Sequence, residues 1–369
     1  MKISSLAKYA VGVTLAAAML AACSSGGSSF GPTSGAAPSG HHTGLTQLSK
    51  IQDAALTMPH FMARPVHPDH GQSFMRPDKK GSKSAYLYVG DWDTNDVYVY
   101  DYPSGTAVGT LTGFGEPYGM CTDKKGDVYV ANFEDGNAVE YAHGGTSPIN
   151  TYASGGEPIG CSVSAKGDVA VTSFSPGEVV VYAGGNPSKS TTYSDSSCEY
   201  EWPAGYDSKG DLIGVGEYSS IDVCALMAGS KSEEVLSESG ITIDFPGGTS
   251  WDGKYIGLGD QEAGGTFESG DWPSTISGTT IKGTTETKLS DTCYSDYDDT
   301  VSIFYTNGKK NIFPHGKKQA NTAVGPNLWC ADAGTSKVDY WKYPAGGNPT
   351  GNLTSPPGAP YGAAVSIGK

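Results

Sequence analysis

Tyr86-Leu-Tyr-Val-Gly-Asp-Trp92 is the first copy of the short pattern that decides the fold of this 369-residue chain. It recurs as Val128-Tyr-Val-Ala-Asn-Phe133 and as Val169-Ala-Val-Thr-Ser-Phe174, in steps of 41 residues. After each copy come a second alternating strand, a turn rich in Gly and Pro, and a third strand that runs into a Lys-Gly-Asp turn. The unit therefore carries about four short strands, which is the size of one β-propeller blade.

The number of blades follows from the remaining copies. Weaker copies begin at Leu212 and Tyr255, and the last clear one is Leu328-Trp-Cys-Ala-Asp332. The long interval before it contains Ser274–Lys282 and Thr300–Tyr305, so it holds either one expanded blade or two compressed ones. We predict an all-β, six-bladed propeller and leave seven blades open. A β-sandwich would not explain the regular period.

The two ends of the repeat region complement each other. Residues Pro360–Lys369 align without a gap with Pro117–Gly126, and the next aligned residue has its counterpart at Tyr86. The C-terminal strand should therefore be the innermost strand of the first blade. Such a closure would remove the free sheet edges of an open array and defines a propeller domain over 85–369.

The N-terminus has the features of a secretion signal. Lys2 and Lys8 precede an apolar stretch that is too short for a resident membrane helix. The stretch ends in Leu20-Ala-Ala-Cys23, which resembles the bacterial lipobox. That resemblance implies removal of residues 1–22, lipidation of Cys23 and attachment to a membrane through the lipid. Ser24, rather than Asp, at the following position resembles the pattern that favours an outer membrane.

Residues 23–84 are predicted to be the lipidated cysteine and a flexible tether, because the segment is rich in Ser, Gly and Pro. Five of the seven histidines lie in it, at spacings that match no standard metal site. The net charge of −15 argues against a nucleic-acid partner, because phosphates demand a basic face.

One face of the propeller should carry the candidate ligand residues. Residues just before the innermost strand of a blade share a face with those just after the second strand, around the mouth of the central channel. Trp202 breaks the repeat, because it stands before its proline where Glu116 and Glu157 stand before theirs. The candidates are Asp91, Glu116, Asn132, Glu157, Trp202, Asp260 and Asp332.

Two interpretations of this ring are open. Its carboxylate and amide oxygens suit a hard divalent cation such as Ca²⁺, which could polarise a carbonyl or activate water. Alternatively, each Asp or Asn caps backbone N–H groups at the end of its strand. We favour capping, because a residue that recurs in nearly every blade is best explained by a need of every blade. No catalytic residue, metal ligand or cofactor is assigned from the sequence.

The cysteines fit a compartment outside the cytosol. With Cys23 assigned to lipid, six remain and can pair in fifteen ways. Cys121 and Cys161 are not expected to pair, because they sit one register position apart, on opposite faces of neighbouring inner strands. Cys330 is expected to be among the buried free thiols. The other three are Cys198, Cys224 and Cys293.

The unit of Pro-x-Gly, strand, Lys-Gly-Asp and Val-Tyr-Val-Ala-Asn/Asp resembles the NHL-type repeat. It is also similar to six-bladed gluconolactonase-like proteins and to the streptogramin (virginiamycin B) lyase family. The first likeness implies a metal-dependent lactonase chemistry, and the second a histidine base at the mouth. His143 falls in an outer turn, and His315 has no aligned copy, so neither matches that role.

The sequence therefore predicts a lipid-anchored protein of the bacterial envelope, with the outer membrane favoured where there is one. Its propeller is interpreted as a binding or interaction module for an envelope protein, a glycan or a small molecule. A divalent-metal-dependent hydrolase or lyase using the acidic mouth is one alternative. A structural envelope protein without a ligand is the other.

Overall fold

The computed structural model describes residues 71–77, 84–194, 202–217, 220–263, 269–290, 303–307, 310–311, 327–333, 336–353 and 356–368. The predicted signal peptide, Cys23, Cys198, Cys293 and His315 lie outside these ranges. Within them, no helix is both long enough and apolar enough to cross a membrane.

Six small, mainly antiparallel sheets form a ring, as predicted. Blade 1 runs outward as β28 (Pro360–Ile367), β2 (Ala85–Asp91), β3 (Asp96–Asp101), β4 (Thr106–Leu111) and β1 (Phe74–Met75). Blade 2 contains β5 (Pro117–Thr122), β6 (Val128–Asn132), β7 (Asn137–Tyr141) and β8 (Pro148–Ala153). Blade 3 contains β9 (Pro158–Val163), β10 (Val169–Ser173), β11 (Glu178–Tyr182) and β12 (Ser190–Tyr193), with a 3-10 turn at Ala183–Gly185.

The second half of the ring is less regular. Blade 4 contains β13 (Gly205–Tyr206), β14 (Leu212–Glu217), β15 (Ile221–Leu226) and β16 (Glu234–Val235). Blade 5 contains β18 (Pro246–Trp251), β19 (Ile256–Asp260), β20 (Gly270–Ser277) and β21 (Thr280–Gly283), with β17 (Ser237–Ser239) parallel to β21 and β22 (Thr287–Lys288) beside β20. Blade 6 runs β24 (Lys310–Asn311), β23 (Ile303–Asn307), β25 (Asn327–Asp332), β26 (Lys337–Lys342) and β27 (Gly351–Leu353).

These sheets settle the long interval in the repeat. Residues 274–282 belong to the outer strands of blade 5, and 303–305 begin the strand next to β25 in blade 6. The interval is thus one expanded blade, and the ring has six blades.

The C-terminal strand closes the ring as predicted. β28 pairs with β2 along its length, from Ala85 opposite Ile367 to Asp91 opposite Pro360. Part of the predicted tether also joins this sheet, because β1 adds an outer strand beside β4. The hydroxyl of Ser73 accepts a bond from the amide of Thr112 at 2.9 Å.

The inner strands lie close together because glycine follows Pro-x in several of them. A Cβ on Gly119 would lie 2.4 Å from the carbonyl oxygen of Ile159, and one on Gly362 would lie 2.0 Å from that of Tyr118. No larger residue fits without moving the backbone. The blades then bury most of their Val, Leu and Tyr side chains against their neighbours.

One disulfide corrects the sequence analysis. Cys121 of β5 and Cys161 of β9 are bonded, with their Cα atoms 5.6 Å apart. Cys161 packs with Val169 and Val171 in the cluster between blades 2 and 3, and Cys121 packs against the same cluster from the other side. Opposite faces of inner strands in neighbouring blades point toward each other. The placement on opposite faces, which led us to expect no bond, is therefore what brings the two sulfurs together.

The prediction that Cys330 is a free thiol is also wrong. Cys330 and Cys224 are both disulfide-bonded.

Candidate functional site

The face on which the inner strands begin is here called the upper face, and it carries the predicted ring. The strand pairing places Asn132 opposite Pro117, Asp260 opposite Pro246 and Asp91 opposite Pro360. Each ring residue therefore lies beside the start of the inner strand of its own blade. The opposite, lower face carries the Lys-Gly-Asp turns, where Gly126, Gly167 and Gly210 have φ near +90° as such turns require.

Asp91 caps the loop that enters blade 1. Its Oδ2 accepts the amide of Gly358 at 2.7 Å, and its Oδ1 accepts that of Thr94 at 3.2 Å. The side chain is fully buried, and burial raises the pKa of its carboxyl in spite of these donors.

Asn132 performs the same task in blade 2. Its Oδ1 accepts the amide of Gly115 at 2.6 Å, and its Nδ2 donates to Oδ2 of Asp135 at 2.7 Å. Both ends of the amide are thus engaged, one with the loop that enters blade 2 and the other with the turn between β6 and β7.

Asp260 is the most heavily bonded member of the ring. Its Oδ1 accepts the amides of Phe245 and Glu262, both at 3.1 Å, and its Oδ2 accepts that of Asp244 at 3.2 Å. Desolvation nevertheless dominates, and with the nearby charge of Asp244 it raises the pKa of Asp260 to about 7.

The remaining predicted residues have different surroundings. Glu116 and Glu157 accept the amides of Phe133 and Phe174 through their backbone carbonyls, at 3.1 and 2.9 Å. Glu116 is buried with a φ of +61°. Asp332 is buried at the end of β25.

An aromatic layer, rather than an open ring of carboxylates, fills the upper face. The side chains that follow the ring residues pack with those of the Pro-x-Gly strands. Trp92 lies 5.4 Å from Tyr118 and 5.0 Å from Tyr361 between ring centroids. The members of this layer are Trp92, Tyr118, Phe133, Ile159, Phe174, Trp202, Phe245 and Tyr361.

Sequence reasoning placed Trp202 on this face but missed the layer. Its signal was present as an aromatic residue after each of the first three ring positions, together with Tyr118 and Tyr361 in Pro-Tyr-Gly. These residues are far apart in sequence, and the strand ends bring their rings together.

His143 lies away from this site. Its ring stacks on Tyr86 at 4.9 Å, and its Nδ1 lies 2.6 Å from Oγ of Ser366. Ser366 also donates to the carbonyl of Gly126, in a Lys-Gly-Asp turn. Since a hydroxyl has one proton to donate, Nδ1 must be the donor to Ser366. His143 therefore helps to hold the ring closure at the lower face.

The described residues contain no group of three or more His, Cys, Asp or Glu side chains arranged to hold a metal ion. The ring oxygens of Asp91, Asn132 and Asp260 instead accept backbone hydrogen bonds. This is the capping interpretation favoured by the sequence.

Comparison with known proteins supports the fold. No protein-family model and no curated protein matches the chain. A nidogen/laminin complex structure aligns over 77% of this chain and 99% of its own, at 12% identity and a TM-score of 0.56. A functionally unknown protein from Desulfotomaculum acetoxidans DSM 771 aligns over the same shares, at 8% identity and a TM-score of 0.50.

A streptogramin B lyase structure also aligns, over 82% of this chain and 95% of its own, at 11% identity and a TM-score of 0.48. Likeness at these identities concerns the fold alone, because many functions share the propeller. The chain is a six-bladed β-propeller.

Proposed function

We propose that this chain is a lipid-anchored protein of the bacterial envelope whose propeller is a binding module, with the upper face as its ligand side. The observation that carries the proposal is the engagement of Asp91, Asn132 and Asp260 as caps of the loops that enter their blades. Side chains that hold the architecture in this way are poorly suited to move during a reaction.

The cysteines support the compartment. Cys121 and Cys161 are bonded to each other, and Cys224 and Cys330 each take part in a disulfide. Disulfides persist mainly in oxidising compartments, which agrees with the secretion signal that ends at Cys23.

A metal-dependent hydrolase or lyase is the second candidate, and Asp260 favours it. A carboxyl with a pKa of about 7 is matched to proton transfer at neutral pH, and such groups cluster at active sites. Three backbone donors hold that carboxyl, however, so a metal or a substrate would have to displace part of the loop from Asp244 to Phe245.

A thermal melt of the mature chain, with Cys23→Ser for solubility, separates the two candidates. The protein is stripped with EDTA and titrated with Ca²⁺, Mg²⁺, Mn²⁺ and Zn²⁺. A specific site at about 100 times its dissociation constant adds roughly 2.7 kcal/mol to the free energy of unfolding. The binding-module proposal expects no such stabilisation. A cation that stabilises the parent but not Asp91→Asn would move the conclusion to the enzyme.

The anchoring is tested separately, by mass spectrometry of the N-terminal peptide from protein made in a bacterium. We expect a lipid-modified Cys23 and its loss in Cys23→Ser. An unmodified N-terminal peptide would refute the anchor.

A further inference from the structure

The upper face departs from the repeat at blades 4 and 5. The amide of Trp202 donates to the carbonyl of Val215 at 2.9 Å, whereas in blades 1, 2, 3 and 5 the bond runs from the residue after the ring position to the residue before the proline. Trp202 is therefore bonded to a residue of β14 that lies further from the upper face than the corresponding residues of the other blades. Blade 5 has Gln261 where blades 1 to 3 have an aromatic residue.

Three of the buried polar atoms that lack a hydrogen-bond partner belong to side chains at this departure from the repeat. Within the described part of the chain, the Nε1 of Trp202, the Nε2 of Gln261 and the Oγ of Ser173 are buried and make no hydrogen bond. The three side chains are at most 4% exposed. A buried donor without an acceptor destabilises the folded state, and native proteins leave few of them.

Ring contacts and one backbone hydrogen bond link the residues that carry these atoms. Phe174, which follows Ser173, packs edge-on against Trp202 at 6.2 Å between centroids, and Trp202 packs edge-on against Phe245 at 5.6 Å. The carbonyl of Phe245 accepts the amide of Gln261 at 2.8 Å. This set of five residues is called the blade 4–5 corner below.

We propose that the blade 4–5 corner is a carbohydrate-binding site for a neutral glycan, an inference that rests on the proposed binding function. Two of the unpaired groups, the indole N–H and the amide NH₂, are donors only, so they require oxygen acceptors. The hydroxyl of Ser173 can donate or accept. Sugar hydroxyls supply such acceptors, and the C–H faces of a pyranose ring match the flanking aromatic rings.

The charge around the corner favours an uncharged ligand. Asp260 is buried there and bonded to the backbone of Asp244 and Glu262, so three carboxyl-bearing residues lie together. They disfavour a phosphate or carboxylate ligand, because like charges repel strongly where water is excluded. A peptide is the weaker fit, since its N–H groups would need acceptors and the unpartnered atoms of the corner are mainly donors.

Access to the corner requires side-chain movement. Phe174 and Phe245 are only half-buried, and they flank the buried indole on both sides. Rotation of these two rings would uncover the Nε1 of Trp202, and rotamer changes of this kind are common when a ligand binds.

NMR of the mature Cys23→Ser chain labelled with ¹⁵N-tryptophan tests the proposal. The chain has six tryptophans, and Trp202→Phe assigns the indole resonance of interest. Cellohexaose, chitohexaose and maltohexaose are added in turn at millimolar concentration, with a neutral Ala/Gly hexapeptide as comparison. We expect a saturable shift of the Trp202 resonance with at least one glycan.

Variants then separate binding from folding. Trp202→Phe keeps an aromatic six-membered ring but removes the N–H donor with the five-membered part of the indole, so it should weaken glycan binding about tenfold. Trp341→Phe is the matched control, because Trp341 is also fully buried with an unpaired Nε1 but lies in another core cluster. It should leave glycan affinity unchanged.

The proposal is overturned if none of the three glycans moves the Trp202 resonance, or if only the hexapeptide does. Equal weakening in Trp202→Phe and Trp341→Phe would also overturn it. The proposed function would fail by a different result, namely stabilisation by a divalent cation that depends on Asp91, so the two failures can be told apart.

Discussion

Asp260 allows the capping account of the upper face to be tested by a change that barely alters shape. The carboxyl accepts three backbone N–H bonds and is 1% exposed, yet its pKa is raised to about 7. Asp260→Asn keeps an oxygen for the amides of Phe245 and Glu262 and removes the titration.

The sign and size of the change in unfolding free energy with pH follow from the linkage between proton binding and folding. The folded pKa lies above the unfolded value of 3.8, so between these two pH values only the folded state holds the proton. The parent should then lose stability as pH rises from about 4 to about 7, at about 1.4 kcal/mol per pH unit. The whole change is on the order of 4 kcal/mol, and it levels off above the folded pKa.

Urea unfolding of parent and Asp260→Asn across this pH range measures the effect. Groups common to both proteins cancel in the difference of their unfolding free energies. That difference should shift in favour of the variant as pH rises, by up to the amount given above. A flat difference, or one that moves the other way, would mean that the backbone donors outweigh burial and that the pKa is not raised.

Three further predictions concern the architecture. Asn132→Ala leaves the amide of Gly115 without its acceptor, and urea unfolding should show a loss of about 1–2 kcal/mol; an unchanged midpoint would contradict the capping role. Gly362→Ala brings a Cβ to 2.0 Å from the Tyr118 carbonyl and should lower the thermal midpoint, with a loss of about 1–3 kcal/mol; free tolerance would refute the close approach of the inner strands. Replacing both cysteines of the bridge between blades 2 and 3 by serine frees two residues 40 positions apart in the unfolded chain, so the free energy of unfolding should fall by up to about 4 kcal/mol; an unchanged urea midpoint would contradict a stabilising role for the bridge.

The fold was predictable because the repeat and the chain ends carry independent information. The 41-residue step gave the blade, and the alignment of Pro360–Lys369 with Pro117–Gly126 gave the closure that β28 and β2 make. Only the composition of the last blade was ambiguous, since its strands are separated by long insertions.

The disulfide between Cys121 and Cys161 was not predictable by the same reasoning. Register within one sheet was applied to strands that belong to different sheets. Inner strands of adjacent blades face each other across a packed interface, so a side chain on the forward face of one meets a side chain on the rear face of the next.

The repeat also limits where function can be sought. A residue that caps the loop entering its blade recurs at the same position of the repeat for structural reasons, as Asp91, Asn132 and Asp260 show by their backbone bonds. Recognition of a particular ligand needs an asymmetric feature, because a sixfold set of identical groups offers no preferred orientation. Blades 4 and 5 supply that asymmetry through Trp202 and Gln261, whose buried N–H groups have no partner within the described structure. The departures from the repeat, rather than its most regular positions, are therefore where substitutions should change binding without unfolding the ring.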